Sequence, residues 1–140
     1  MQKNKKIMKL LILHGPNMNL FGVRSANKGD NLTLDKINRH IRRYIRDKNL
    51  DIKILQTHNE VKAVSYIQNN RKKIDGIILV PGVWQYNAYV LSELLDLTAI
   101  PFITIIYKEK DYVKLLNGKD NITNEDIITA FENAIDYFNE

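Results

Sequence analysis

The chain has 140 residues, 44 % of them apolar, and a formal net charge of +5. That length supports one domain with one core, and the absence of cysteine removes disulfides and thiol-based zinc or redox chemistry. No apolar run is long enough to span a bilayer, and the polar start Met1-Gln-Lys-Asn-Lys-Lys6 lacks the apolar segment of a signal peptide. A cytoplasmic location is therefore expected, with Met8 as the natural start and Met1 to Ile7 as a disordered extension.

Met8 to His14 is a short, nearly continuous apolar run and reads as a strand buried on both faces. It enters the turn Gly15-Pro16-Asn17, and Gly15 to Asn31 is expected to form a long polar loop. Thr33 caps a helix to about Lys48, with Leu34, Ile37, Ile41, Tyr44 and Ile45 as its apolar stripe. Arg39, Arg42, Arg43, Arg46 and Lys48 lie off that stripe and hold much of the positive excess. A solvated face is the commoner role of such a row, so nucleic acid is not expected as a partner.

Asp51 to Gln56 alternates apolar and polar residues, the pattern of a second strand. His58 or Asn59 starts a helix through about Arg71, carried by Val61, Val64 and Ile67. Ile74 to Val80 is the most hydrophobic strand and stops at Pro81-Gly82. Asn87 is expected to cap a helix through Leu97 whose core stripe is Val90, Leu91, Leu94 and Leu95. Ile100 to Tyr107 is the fourth strand, with Pro101 at its start, where a missing N–H is tolerated. Lys108 to Asp120 is charged, contains Asn117-Gly118 and reads as a mobile lid. Thr123-Asn-Glu-Asp126 resembles a capping box for a last helix that buries Ile127, Ile128, Phe131, Ala134, Ile135 and Phe138.

Strands alternating with helices specify an α/β domain: a parallel sheet of four or five strands with helices on both faces, a flavodoxin-like three-layer sandwich spanning 1–140. Such folds bind ligands beyond the C-terminal strand ends, next to the switch in strand order. Those ends are His14 to Asn19 and Pro81 to Asn87. Asn17, Asn19 and Arg24 suit the orientation of hydroxyls and the gripping of a carboxylate, and equally suit the shaping of a loop. His14 reads as a structural group and His40 as solvated, while His58 either reaches the site or caps its helix. Trp84 and Tyr86, beyond the third strand, read as residues that stack on a ligand or pack at a subunit contact. No pair of histidines has metal-ligand spacing, and no dinucleotide, Walker or serine-hydrolase motif occurs, so neither metal nor cofactor is expected.

Gly15-Pro16-Asn17-Met18-Asn19-Leu20-Phe21-Gly22-Val23-Arg24 resembles the Gly-Pro-Asn-Leu-Asn-Leu-Leu-Gly-x-Arg motif of type II 3-dehydroquinate dehydratases. Gln56-Thr57-His58-Asn59-Glu60, Asp75-Gly76-Ile77-Ile78 and Pro81-Gly82 extend the resemblance, which is collinear from about Lys9 to Phe138. It implies a shikimate-pathway lyase, without cofactor, assembled as a trimer or dodecamer. The implied chemistry is an anti-elimination of water: a Tyr made acidic by an Arg removes a proton, an Asn-held water stabilises the enolate, and a His protonates the leaving hydroxyl. On that resemblance Asn17 and Arg24 match the family's Asn and Arg. The Tyr position falls on Gly29 and the His position on Tyr86; the substrate-binding Asn has become Val80, and Lys108 stands at a substrate-binding Ser. The expected site is thus Asn17, Arg24 and Tyr86 for chemistry, with Asn19, His58, Trp84, Asn87 and Lys108 for binding.

Three readings follow. The first is a diverged or catalytically impaired homologue that binds a small carboxylated ring compound, with Tyr86 as a replacement acid or base. The second is a genuine dehydratase with a rearranged site, served by Tyr107, Tyr112 or a neighbouring subunit. The third is a non-catalytic oligomeric binding protein.

Overall fold

The computed structural model describes residues 6–106, 113–124 and 126–139. Five strands form one wholly parallel sheet: β1 (Met8–His14), β2 (Leu50–Gln56), β3 (Gly76–Val80), β4 (Phe102–Ile106) and β5 (Asp120–Thr123). Their order is β2-β1-β3-β4-β5, so the chain reverses its direction of travel across the sheet between β1 and β3. The helices are α1 (Phe21–Asn27), α2 (Leu34–Tyr44), α3 (Glu60–Asn70), α4 (Trp84–Asn87), α5 (Tyr89–Thr98) and α6 (Ile127–Phe138).

The period-2 alternation of the strands divides the core in two. Leu10, Ile12, Ile78, Val80, Ile103 and Ile105 pack with Ile37 and Ile41 of α2 and Phe131 and Ile135 of α6. Leu11, Leu13, Ile77 and Leu79 pack with Ile67 of α3 and Leu91 and Leu95 of α5. This is the flavodoxin-like sandwich that the sequence specifies. Register is set through β1: Leu10 stands beside Ile52 and Gly76, and His14 beside Gln56 and Val80. The ends of β1, β2 and β3 are therefore level where the chain leaves the sheet.

Several local expectations are corrected. The segment after β1 is not an open loop, because Met18–Leu20 form a turn of 3-10 helix and α1 follows it directly. Val61 and Val90 face solvent, at 70 % and 60 % exposure, and Ala63 and Ala88 take the core places beside them. The apolar spacing left two registers of each helix open, and the small alanines fit where helix meets sheet. Asn87 does not cap α5; it ends α4, and Ala88 stands at the cap position. Thr123 belongs to β5, and Asp126 caps α6 by accepting from Ile128 N–H at 3.1 Å. His40 is bonded to Glu132 Oε2 at 2.7 Å rather than solvated.

No helix lies among the described residues between β4 and β5. Residues 113–119 return along the α5 side of the sheet with Leu116 fully buried. Gln85 Oε1 accepts from Lys114 N–H (3.0 Å) and Leu116 N–H (2.9 Å), and Gln85 Nε2 and Thr104 Oγ1 both donate to the Leu116 carbonyl at 3.0 Å. Ser92 Oγ donates to the Leu115 carbonyl at 3.1 Å. This part of the expected lid is thus fastened to the domain, because its charged composition hid two leucines that belong to the core. Tyr107, Lys108 and Tyr112 lie outside the described residues.

Candidate active site at the C-terminal edge of the sheet

The turn after β1 is held from both sides. Gly15 N–H donates to Val80 O at 2.9 Å, Thr57 N–H donates to His14 O at 3.0 Å, and Gln56 Nε2 donates to Gly15 O at 3.3 Å. Only glycine fits at position 15. A Cβ there would lie 2.7 Å from Val80 O, 3.0 Å from Pro81 O and 3.1 Å from Trp84 Cε3. The close approach brings the loops after β1 and β3 together, at the place where an α/β sheet of this order binds ligands.

Asn17 takes the left-handed conformation (φ 69°), which asparagine tolerates better than most residues. Its backbone N–H donates to His58 Nδ1 at 3.1 Å. The neutral imidazole consequently carries its proton on Nε2. His58 is thus joined to the site turn, while the helix cap falls to Asn59, which accepts from Val61 and Lys62 N–H. Glu60 reaches across to accept from Leu91 N–H in the first turn of α5 at 3.0 Å. A carboxylate there answers both an unfilled helix donor and the helix dipole. Asn17, Asn19 and His58 are all exposed.

Arg24 lies in the last turn of α1 and is partly buried. The chain beyond it closes on Ser25, whose Oγ accepts from Leu32 N–H (2.8 Å) and whose carbonyl accepts from Lys28 and Asp30 N–H. Gly29 has φ 77° with open space around it. The position where the resemblance puts a Tyr therefore has no side chain and a backbone shape that suits glycine.

Trp84 is corrected from ligand contact to core. It is 3 % exposed and packs with Leu11, Leu13 and Leu91. The short helix α4 turns it inward under Gly15, and Tyr86, two residues on, faces outward at 45 % exposure. Lys114 Nζ sits 4.7 Å from the centroid of the Tyr86 ring. Gln85 and Lys114 went unnoticed in the sequence: a lone Gln in a loop and a Lys in a charged stretch carry no pattern. Asn87 is exposed at the end of α4.

His14 is sealed beneath the turn. Its Nε2–H donates to Asn38 Oδ1 at 2.8 Å, its ring meets Phe131 edge-on at 5.4 Å, and its Nδ1 is buried without a partner. Burial outweighs the Asn38 hydrogen bond and lowers its pKa from 6.5 to about 4. His14 is therefore neutral at pH 7 and structural. A cavity of about 130 Å³ bordered by Lys9, Lys53 and Tyr66 lies at the other end of β1 and β2 and has no part in this edge.

Residues 8–110 match the family described as Dehydroquinase class II. The chain belongs to that family. The 3-dehydroquinate dehydratase of Geotalea daltonii is 32 % identical over 98 residues, covering 70 % of this chain and 68 % of that one. The 3-dehydroquinate dehydratase of Fusobacterium nucleatum is 30 % identical over 115 residues, 77 % and 78 % of the two chains. The crystal structure of the type II dehydroquinase from Butyrivibrio crossotus superposes with a TM-score of 0.84 over 95 % of this chain and 98 % of that one, at 24 % identity. The dehydroquinase fold thus accounts for the whole sheet and both helical layers.

Proposed function

We propose that this dehydroquinase relative binds a small carboxylated ring compound between the loops after β1 and β3, and that it has lost or changed the family's dehydration. The observation that carries this reading is the pairing of a retained frame with absent proton carriers. Asn17 and Arg24 are kept, and Gly15 still joins the two loops. Gly29 offers no side chain and position 86 holds a phenol instead of an imidazole. Loss of one general acid or base already costs on the order of 10²–10⁴ in rate. Function resides in such site groups and not in the fold that carries them.

In this site Arg24 and Lys114 supply positive charge for a carboxylate, Asn17 and Asn19 orient hydroxyls, and the Nε2–H of His58 donates from the neighbouring strand end. Tyr86 takes the place of the departed acid. Asn87 and Lys108 complete the proposed binding set.

The test is turnover of 3-dehydroquinate, followed by near-ultraviolet absorbance of the enone product at high protein concentration, beside an active family enzyme. No turnover, together with saturable binding of 3-dehydroquinate or a related ring carboxylate by calorimetry, is the expected result. Clear turnover would establish the second reading, which the names of the curated relatives favour. In that case Tyr86→Phe decides whether Tyr86 takes part. Absence of both turnover and binding would leave the non-catalytic reading. We also propose a homo-oligomer, trimer or dodecamer. Exposed Val83, Tyr86, Tyr89, Val90 and Leu97 along α4 and α5 support a subunit contact, and a monomer by light scattering would refute it.

A further inference from the structure

Arg39, Arg42, Arg43 and Arg46 stand at i, i+3, i+4 and i+7, one face of α2 and of the turn that prolongs it. Ile45 N–H still bonds Ile41 O and Arg46 N–H bonds Arg43 O, so the helical path carries Arg46 onto the same face. All four are exposed. Among the described residues, none of their guanidinium groups makes a hydrogen bond or an ion pair. The spacing alone weighs this row as a solvated face; three features weigh against that.

The first is composition against position. The chain is lysine-rich, with 15 Lys to 6 Arg, yet four of the six arginines stand on this one face. A general basic bias would have placed lysine there. The second is the lack of any internal answer to the charge. Arginines at these spacings repel one another along a helix. Glu132 and Asp136 on α6, packed beside α2, are taken by His40 at 2.7 Å and Tyr44 at 2.8 Å, and Asp47 sits 3.3 Å from Lys48. Only Asp35 shares the N-terminal end of the face. The helix dipole favours cations in the last turn but does not select arginine over lysine. The third is location. α2 starts beside the loops of the candidate site and runs back antiparallel to β1, so the row points away from that site.

We propose that this face of α2 docks on the phosphate backbone of a nucleic-acid duplex without reading its bases. Guanidinium forks match phosphate oxygens in pairs. A rigid helix holds the four in a row about 10 Å long at 1.5 Å rise per residue. Unpaired bases need aromatic platforms, and the aromatic rings of this helix, His40 and Tyr44, are turned to Glu132 and Asp136. A duplex, which offers phosphates and keeps its bases stacked, fits the face better than a single strand.

The experiment is fluorescence anisotropy of the full chain with labelled duplex RNA and duplex DNA across a salt series. The protein is compared with R39Q/R42Q/R43Q/R46Q and with the charge-matched K53Q/K62Q/K72Q/K73Q on the other side of the fold. The wild type should bind with a log K against log[salt] slope of about −3 to −4, four phosphates at about −0.9 each. The arginine variant should lose at least about tenfold in affinity and most of the slope, while the lysine variant stays near wild type with both thermal midpoints unchanged. The two duplex arms tell DNA from RNA, and binding of either supports the proposal. No binding at low salt, equal loss in both variants, or tighter binding to polyglutamate or to vesicles rich in anionic lipid would overturn it.

Discussion

Acidification tests the packing beneath the site through a single side chain. His14 is 0 % exposed and its folded pKa is lowered to about 4, first by burial, against 6.5 for an ordinary histidine. Between those values the unfolded chain takes up a proton that the folded chain refuses. Stability therefore falls as pH drops below 6.5, and the loss is complete below about 4. At 1.36 kcal/mol per pH unit the full penalty is about 3 kcal/mol, with about 2 kcal/mol already lost at pH 5. The assay is denaturant unfolding of the wild type and of His14→Gln at intervals from pH 7.5 to 4.5. The variant loses ring packing on Phe131 and starts less stable, but its stability should fall less steeply by up to one proton's worth in this window. Carboxylates common to both proteins cancel in the comparison. Parallel pH dependences in the two proteins, or an NMR titration of the His14 ring with its midpoint near 6.5, would refute the reasoning.

Three further outcomes follow from the geometry. Gly15→Ala puts a Cβ 2.7 Å from Val80 O, so thermal unfolding should show a loss of about 1–3 kcal/mol; an unchanged midpoint would mean that the turn gives way freely. Gln85→Leu strands the backbone donors of Lys114 and Leu116, while the Leu116 carbonyl keeps Thr104 Oγ1, and should cost about 2 kcal/mol, with hydrogen exchange rising across residues 113–119; protection equal to wild type there would contradict the anchoring. Trp84, at 3 % exposure, should emit to the blue of free tryptophan and resist iodide quenching, and strong quenching in the native protein would place it at the surface instead.

Much of this was legible in one dimension because it depends on periodicity and local chemistry. Three of the four strands from Met8 to Ile106 are visible as apolar runs between turn residues and the one from Asp51 to Gln56 as an alternation, and the caps at Thr33 and at His58 or Asn59 as side chains suited to free helix donors. The Gly-Pro-Asn turn was visible as a motif, and the loops it joins were foreseen as neighbours. What failed did so where a three-dimensional neighbour decided the outcome. Trp84 and Tyr86 have the same kind of sequence surroundings, yet α4 sends one into the core and the other to the surface. Leu115 and Leu116 sit in a charged stretch that reads as a lid, and the buried amide of Gln85 with the hydroxyls of Ser92 and Thr104 explains why their backbone lies against the sheet.

Residue identity and order were enough for the fold class and the family, since each of these depends on pattern and motif along the chain. Tertiary structure decided which side chains meet. It set His58 against the Asn17 amide, closed His14 away from water, brought Lys114 over Tyr86, and left the guanidinium groups of Arg39, Arg42, Arg43 and Arg46 on α2 and the turn after it without a hydrogen bond or ion pair among the described residues. Those outcomes depend on distances between elements far apart in the chain, and local propensity carries no information about such distances.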